Sequence, residues 1–190
     1  MRSRFALYCC GHKMWSAVLL TCVVCAVVFG AGNQSVRVPW ILSPQAVTLS
    51  GIAGLLFSLN GVLLFRNELS RLELMSSRQW LWSHAVVLGI VGLIPWLMVP
   101  VADGGSRFAY VATLTFSLCV ALGVFLRTDT LALVLMVQFL AQTLVWSSLE
   151  HTVFRHVLFA IDQPPTPVAA ALSVVALVTS FAVYAWRYRS

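Results

Sequence analysis

A chain of 190 residues that is 60% hydrophobic and only 9% charged, with a mean hydropathy of +0.91, cannot cover itself as a water-soluble domain, which carries roughly 25% charged residues. Its formal charge of +6 does not point to nucleic acid, because the basic residues are spread along the chain and no Arg/Lys stripe interleaves with exposed aromatics. Several apolar runs of about 18 or more residues are long enough to cross a hydrocarbon core of about 30 Å as helices, so the composition describes an all-α polytopic membrane protein with a single transmembrane domain.

Six crossings are expected, over 14–31, 46–65, 80–101, 108–126, 131–149 and 168–186. Each must be a helix, since the alternating pattern of a barrel strand is absent. The first follows a basic start (Arg2, Arg4, Lys13) and precedes the small residues Gly30, Ala31 and Gly32. Its apolar run exceeds the core of about 7 to 15 residues typical of a cleaved signal peptide, which favours a retained anchor. Cys22 and Cys25 form a CxxC inside this span, with no second pair and no nearby His to complete a metal site. Like Cys119, they are expected to be small packing residues; Cys9 and Cys10 precede the span and suit acylation in a eukaryotic host. The sequon Asn33-Gln34-Ser35 follows on the outer side.

Between the second and third crossings lies RNELSRLELMSSR, Arg66 to Arg78, which holds five of the eighteen Asp, Glu, Lys and Arg residues. At helical spacing Phe65, Leu69, Leu72 and Met75 share one face, and Arg66, Ser70, Glu73 and Ser77 share another. Glu68 and Arg71, three apart, are close enough to pair. Such a helix suits the membrane surface, with its apolar stripe toward lipid or protein; a solvated loop helix without a partner fits the pattern equally well.

Polar residues inside the spans are few. Ser58, Asn60, His84, Gln138 and Gln142 are expected to face protein or a water-filled path, because lipid exposure is costly. Gln138 and Gln142, four apart, share a face suited to interhelical hydrogen bonds or a translocation route. No Asp or Glu lies near an expected midplane, which argues against a proton- or sodium-coupled carrier.

The connection before the last crossing is EHTVFRHVLFAIDQPPTP, from Glu150 to Pro167. Val153, Phe154, Val157, Leu158 and Ile161 form a helical stripe opposite His151, Thr152, Arg155 and His156, and Pro164, Pro165 and Pro167 end the helix. A short re-entrant or interfacial helix fits this pattern. His151 and His156 point about 140° apart on a helix and do not easily share one metal ion.

Orientation follows from the basic residues. With the N-terminus cytoplasmic, nine of them (Arg2, Arg4, Lys13, Arg66, Arg71, Arg78, Arg127, Arg187, Arg189) lie inside and three (Arg37, Arg107, Arg155) outside, and the even number of crossings places both termini in the cytoplasm. The acidic residues split evenly, so only the basic side is biased. Tryptophans cluster near the expected span ends, as interfacial indoles do.

Catalytic signatures are missing. There is no GxSxG, HExxH or GxxxxGK loop, and Lys13 is the only lysine, so the chain is expected neither to be an enzyme nor to bind ATP itself.

Six spans with internal termini, a cytoplasmic amphipathic helix between spans two and three, and a helical element before span six together resemble the membrane subunit of ABC-2 type exporters. Glu68, Leu72, Glu73, Leu74, Met75, Ser77 and Arg78 follow the order of that family's inner helix: a charged start, a Leu-Glu-x-Leu core and a polar stretch into span three. Ser70 and Arg71 stand where the family often has Gly and Thr, and no Pro follows the Leu-Glu pair. The resemblance implies a permease in a bacterial inner or plasma membrane, paired with a second copy or a related chain, and working with two copies of a cytoplasmic ATP-binding subunit that hold ATP and Mg. Leu69, Leu72 and Met75 would be apolar anchors in a groove of that ATPase, and Glu68, Glu73 and Arg78 orienting charges. The element containing Glu150, Phe154, Arg155, Val157 and Leu158 would close the exit, and spans one, two and five would supply the path. The substrate implied is hydrophobic or amphipathic, such as a peptide, lipid-linked molecule or drug. A non-catalytic scaffold subunit of a larger membrane complex explains the sparse polar content equally well. A haem-binding electron carrier needs paired intramembrane histidines, and only His84 is plainly inside a span.

Overall fold

A computed structural model of the protein describes residues 13–37, 46–65, 79–149 and 166–187. These residues form α1 (Met14–Ala31), β1 (Ser35–Arg37), β2 (Ala46–Thr48), α2 (Leu49–Phe65), α3 (Gln79–Leu97), α4 (Gly105–Gly123), α5 (Thr128–Leu149) and α6 (Pro167–Arg187). The fold is helical, and a helix occupies each of the six apolar stretches. By length and composition α1, α4 and α6 are able to cross a membrane; α2, His84–Leu97 of α3 and Thr128–Gln138 of α5 are shorter apolar stretches.

Helix ends depart from the expected boundaries where backbone groups find other partners. Ala46–Thr48, expected inside the second helix, instead pairs antiparallel with Ser35–Arg37, Val36 opposite Val47. This ribbon carries the chain into α2: the amides of Leu49 and Ser50 donate to the carbonyls of Gln34 (2.9 Å) and Gly32 (3.1 Å), which satisfies two of the orphan donors of the first turn. Pro95 lies inside α3 and has no amide to continue the ladder. Tighter bonds follow it, from Met98 N–H to the Pro95 carbonyl (3.1 Å) and from Val99 N–H to that of Trp96 (3.3 Å), and the helix ends at Leu97 instead of reaching Val101. Gly104, at φ 85°, then turns the chain into α4, three residues ahead of the expected start. At the far side, Thr166 caps α6 by accepting the Ala169 amide (3.2 Å), with Pro167 in the first helical position.

Side-chain contacts fix the direction of each helix. Phe65 at the end of α2 lies against Gly123 at the end of α4, and its ring meets His84 near the start of α3 and Tyr184 near the end of α6 edge-on. Asn60 near the end of α2 reaches Thr21, and the Ser50 amide at its start meets the Gly32 carbonyl just after α1, so α1 runs opposite to α2. One end of the bundle therefore carries Lys13, Phe65, Gln79, Gly123, Thr128 and Arg187, and α2, α4 and α6 run parallel. The opposite end carries Gly32, the ribbon and the turn at Gly104. There the chain after α1 packs directly on the α3–α4 turn: a Cβ on Gly32 would lie 2.6 Å from the carbonyl oxygen of Asp103.

The core sits around α4. Phe108, Ala109, Ala112, Thr113, Phe116, Cys119 and Val120 are all fully buried. Phe57 of α2 meets Phe108 edge-on (centroids 5.8 Å apart, planes at 87°) and tilts against Phe116 (6.1 Å, 55°). Close approach of α2 to α4 depends on small residues: a Cβ on Gly54 would lie 2.7 Å from Val111 Cγ1, and one on Gly61 2.5 Å from Cys119 Sγ. Leu131 and Leu135 of α5 close the side of this pair over Cys119, with Val62, Leu118, Leu122 and Leu126 around them. The outer helices are the reverse: about a sixth of the apolar stretch of α1 or α6 is buried, against 61% for α4. Leu19, Phe29, Met136, Leu140, Val175 and Val178 all point away from the protein, more than half exposed. Water would oppose such a surface, and lipid accepts it.

Candidate functional site

The interior polar residues are distributed over separate helix interfaces. Asn60 is fully buried and donates from Nδ2 to Thr21 Oγ1 at 3.0 Å, while its Oδ1 meets no partner among the described residues. Thr113 Oγ1 on α4 and Gln138 Oε1 on α5 are likewise buried and unpartnered among the described residues. Other buried hydroxyls turn inward to their own backbone: Ser117 donates to the Thr113 carbonyl (2.6 Å), Ser173 to that of Ala169 (2.8 Å), Ser58 to that of Leu55 (2.6 Å) and Thr115 to that of Val111 (2.6 Å). Thr115 also approaches the Gly54 carbonyl at 3.4 Å, a contact possible because α2 and α4 lie so close.

These groups do not converge. Asn60 faces α1, whereas Gln138 follows Leu131 and Leu135, which pack toward Cys119 and Val62. Spans one, two and five therefore meet through two separate faces of α2 among the described residues. Gln142 belongs to α5, but its side chain is outside the described residues. His84 and Ser58 are buried against protein, as expected of polar groups in apolar helices.

A second cluster closes the Phe65 end. The rings of Phe65 and His84 lie 5.7 Å apart at 77°, those of Phe65 and Tyr184 6.4 Å apart at 62°, and those of His84 and Tyr184 5.9 Å apart at 36°. Phe65 also covers Gly123, where a Cβ would meet its ring at 2.7 Å. The last residue of α2 is thus fastened to α3, α4 and α6 together. Tyr184 and Thr21 carry no motif signal in the sequence, and the place of each is visible only once the helices pack.

Of the cysteines, Cys119 packs in the core, but Cys22 is exposed and Cys25 half-buried on α1, so the CxxC does not serve internal packing as expected. Among the described residues no three His, Cys, Asp or Glu side chains gather as a metal site would require.

The two connections singled out by their patterning, with Glu68, Leu69, Leu72, Glu73, Leu74, Met75 and Arg78 in one and Glu150, Phe154, Arg155, Val157 and Leu158 in the other, lie outside the described residues. Comparison of the chain with protein-family models, with curated proteins and with solved structures returns no match.

Proposed function

We propose that the chain crosses the cell membrane six times with both termini cytoplasmic and serves as the permease subunit of an ATP-driven exporter. It would work with a separate ATP-binding subunit present in two copies and with a second permease chain, and move a hydrophobic or amphipathic substrate. The observation that carries this reading is the ring cluster of Phe65, His84 and Tyr184. In the chain the charged connection 66–78 directly follows Phe65 and directly precedes Gln79, which is five residues before His84. A displacement imposed on that connection by a partner is delivered to the ends of α2, α3 and α6 at once, as a coupling element requires.

Affinity purification of the full chain in mild detergent, followed by mass spectrometry, tests the proposal. A nucleotide-binding subunit should be recovered with the chain, and Glu73→Lys should release it. Partners that carry no nucleotide-binding site, and that stay bound to the Glu73→Lys variant, would assign the chain instead to a stationary scaffold within a larger membrane complex.

A further inference from the structure

Three exposed aromatic side chains stand next to basic residues at the Phe65 end of the bundle. Trp15 is 77% exposed, two residues after Lys13; Phe125 is 60% exposed, two residues before Arg127; Trp186 is 68% exposed, adjacent to Arg187. They come from the start of α1, the turn that follows α4 and the end of α6, which the Asn60–Thr21 bond and the contacts of Phe65 bring toward one end of the bundle. The other charged residue described there is Asp129, in the first turn of α5, where the helix N-terminus favours an anion. Among the described residues, Lys13, Arg127, Arg187 and Asp129 are thus the charged groups at this end.

The opposite end is built differently. Its aromatic residues Trp96 and Tyr110 are half-buried and pack against each other edge-on, with centroids 5.8 Å apart, and its exposed ring, Phe29, has no Lys or Arg within two residues of it in the sequence. Arg107 there adjoins Phe108, whose ring is fully buried and not exposed. The asymmetry has a chemical meaning. An indole or phenyl ring enters the boundary between headgroups and acyl chains, and a neighbouring Arg or Lys extends its charge to the phosphate layer above. Repeated around one end of a bundle, this pairing selects a surface that supplies negative charge at that depth.

We propose that Lys13 with Trp15, Arg127 with Phe125, and Arg187 with Trp186 form a collar that binds the headgroups of anionic phospholipids in the leaflet around the Phe65 end. The collar depends on the chain being a membrane protein and is independent of its role in export. Its effect is to fix the depth and tilt of α1, α4 and α6 by lipid composition.

The test uses the full chain in vesicles of phosphatidylcholine, alone or with about 30% phosphatidylglycerol, with the thermal unfolding midpoint as readout. Phosphatidylglycerol should raise the midpoint by about 5 °C, and the rise should disappear in about 1 M NaCl, since exposed charges are screened. In the variant Lys13→Gln, Arg127→Gln, Arg187→Gln the increment should be lost. If that variant does not fold, the wild-type chain still decides: a midpoint indifferent to phosphatidylglycerol, or a rise that persists in high salt, overturns the collar. Inorganic phosphate added to phosphatidylcholine vesicles should leave the midpoint unchanged, and a rise equal to that with phosphatidylglycerol would overturn a lipid assignment. A chain that does not float with either vesicle refutes the membrane reading itself, a result separate from a chain that inserts and ignores lipid charge.

Discussion

Asn60 and Thr21 join α2 to α1 through one hydrogen bond, Nδ2 to Oγ1 at 3.0 Å, and leave Asn60 Oδ1 buried without a partner among the described residues. The pair therefore combines a favourable contact with an unsatisfied acceptor, and the two can be separated by substitution. Thr21→Val strands both ends of the Asn60 amide and should lower unfolding free energy by about 1–2 kcal/mol. Asn60→Leu removes donor and acceptor together and should cost less than Thr21→Val. Denaturant-induced unfolding in detergent micelles measures both, and a double-mutant cycle isolates a coupling of about 0.6–1.7 kcal/mol.

The seam between α2 and α4 has no room for a methyl group at Gly61, where a Cβ would meet Cys119 Sγ at 2.5 Å. Gly61→Ala should destabilise the chain by about 1–3 kcal/mol through overpacking. Adding Cys119→Ala removes the colliding sulfur and should restore most of the loss. Equal midpoints for the single and double variants would show that the sulfur is not the obstacle.

Thr113 presents the opposite case, a hydroxyl that is buried at no evident benefit. Thr113→Val keeps the branched shape and removes the unpaired oxygen, so stability should rise by about 1 kcal/mol. A loss of similar size in the same unfolding assay would mean that the hydroxyl has a partner beyond the described residues.

Gly104 turns from α3 to α4 at φ 85°, and a Cβ there would stand 3.0 Å from Asn33 Oδ1. Gly104→Ala should cost about 1–2 kcal/mol from the left-handed backbone alone. Because the side chain would also press on Asn33, protection from hydrogen exchange should fall at Leu49 and Ser50, whose amides are held by the same corner.

The alternation of helix directions places Asp103 and Thr130 at opposite ends of the bundle, both exposed. In a cysteine-free background, Asp103→Cys should react with a membrane-impermeant maleimide applied to intact cells, and Thr130→Cys only after permeabilisation. Labelling of both from one side would refute the orientation proposed for the chain.

Much of the helical architecture is legible in the sequence, because an apolar run long enough to span lipid has few alternatives to a helix. Boundaries were less so. Val47 and Thr48 are β-branched and suit a strand, but three residues beside an apolar run do not separate one from the helix that follows, and the pairing with Ser35–Arg37 is visible only in the fold. The burial of Asn60 and His84 follows from their polarity among apolar neighbours. Thr21 as the partner of Asn60, thirty-nine residues away, does not, because hydroxyls in helices commonly bond their own backbone. The Gln138 amide oxygen is buried as its polarity suggests, but it meets no partner among the described residues, and a partner is a property of packing that spacing along one helix cannot supply.

The closeness of α2 and α4 has a mechanical corollary. Where two helices touch backbone to side chain at Gly54 and again at Gly61, sliding one past the other drives Val111 or Cys119 into the opposing main chain. The pair is thereby locked as a single strut, about two turns of shared contact running in one direction across the bundle. Any change of shape must then move the remaining helices around that strut and leave its own two members in register.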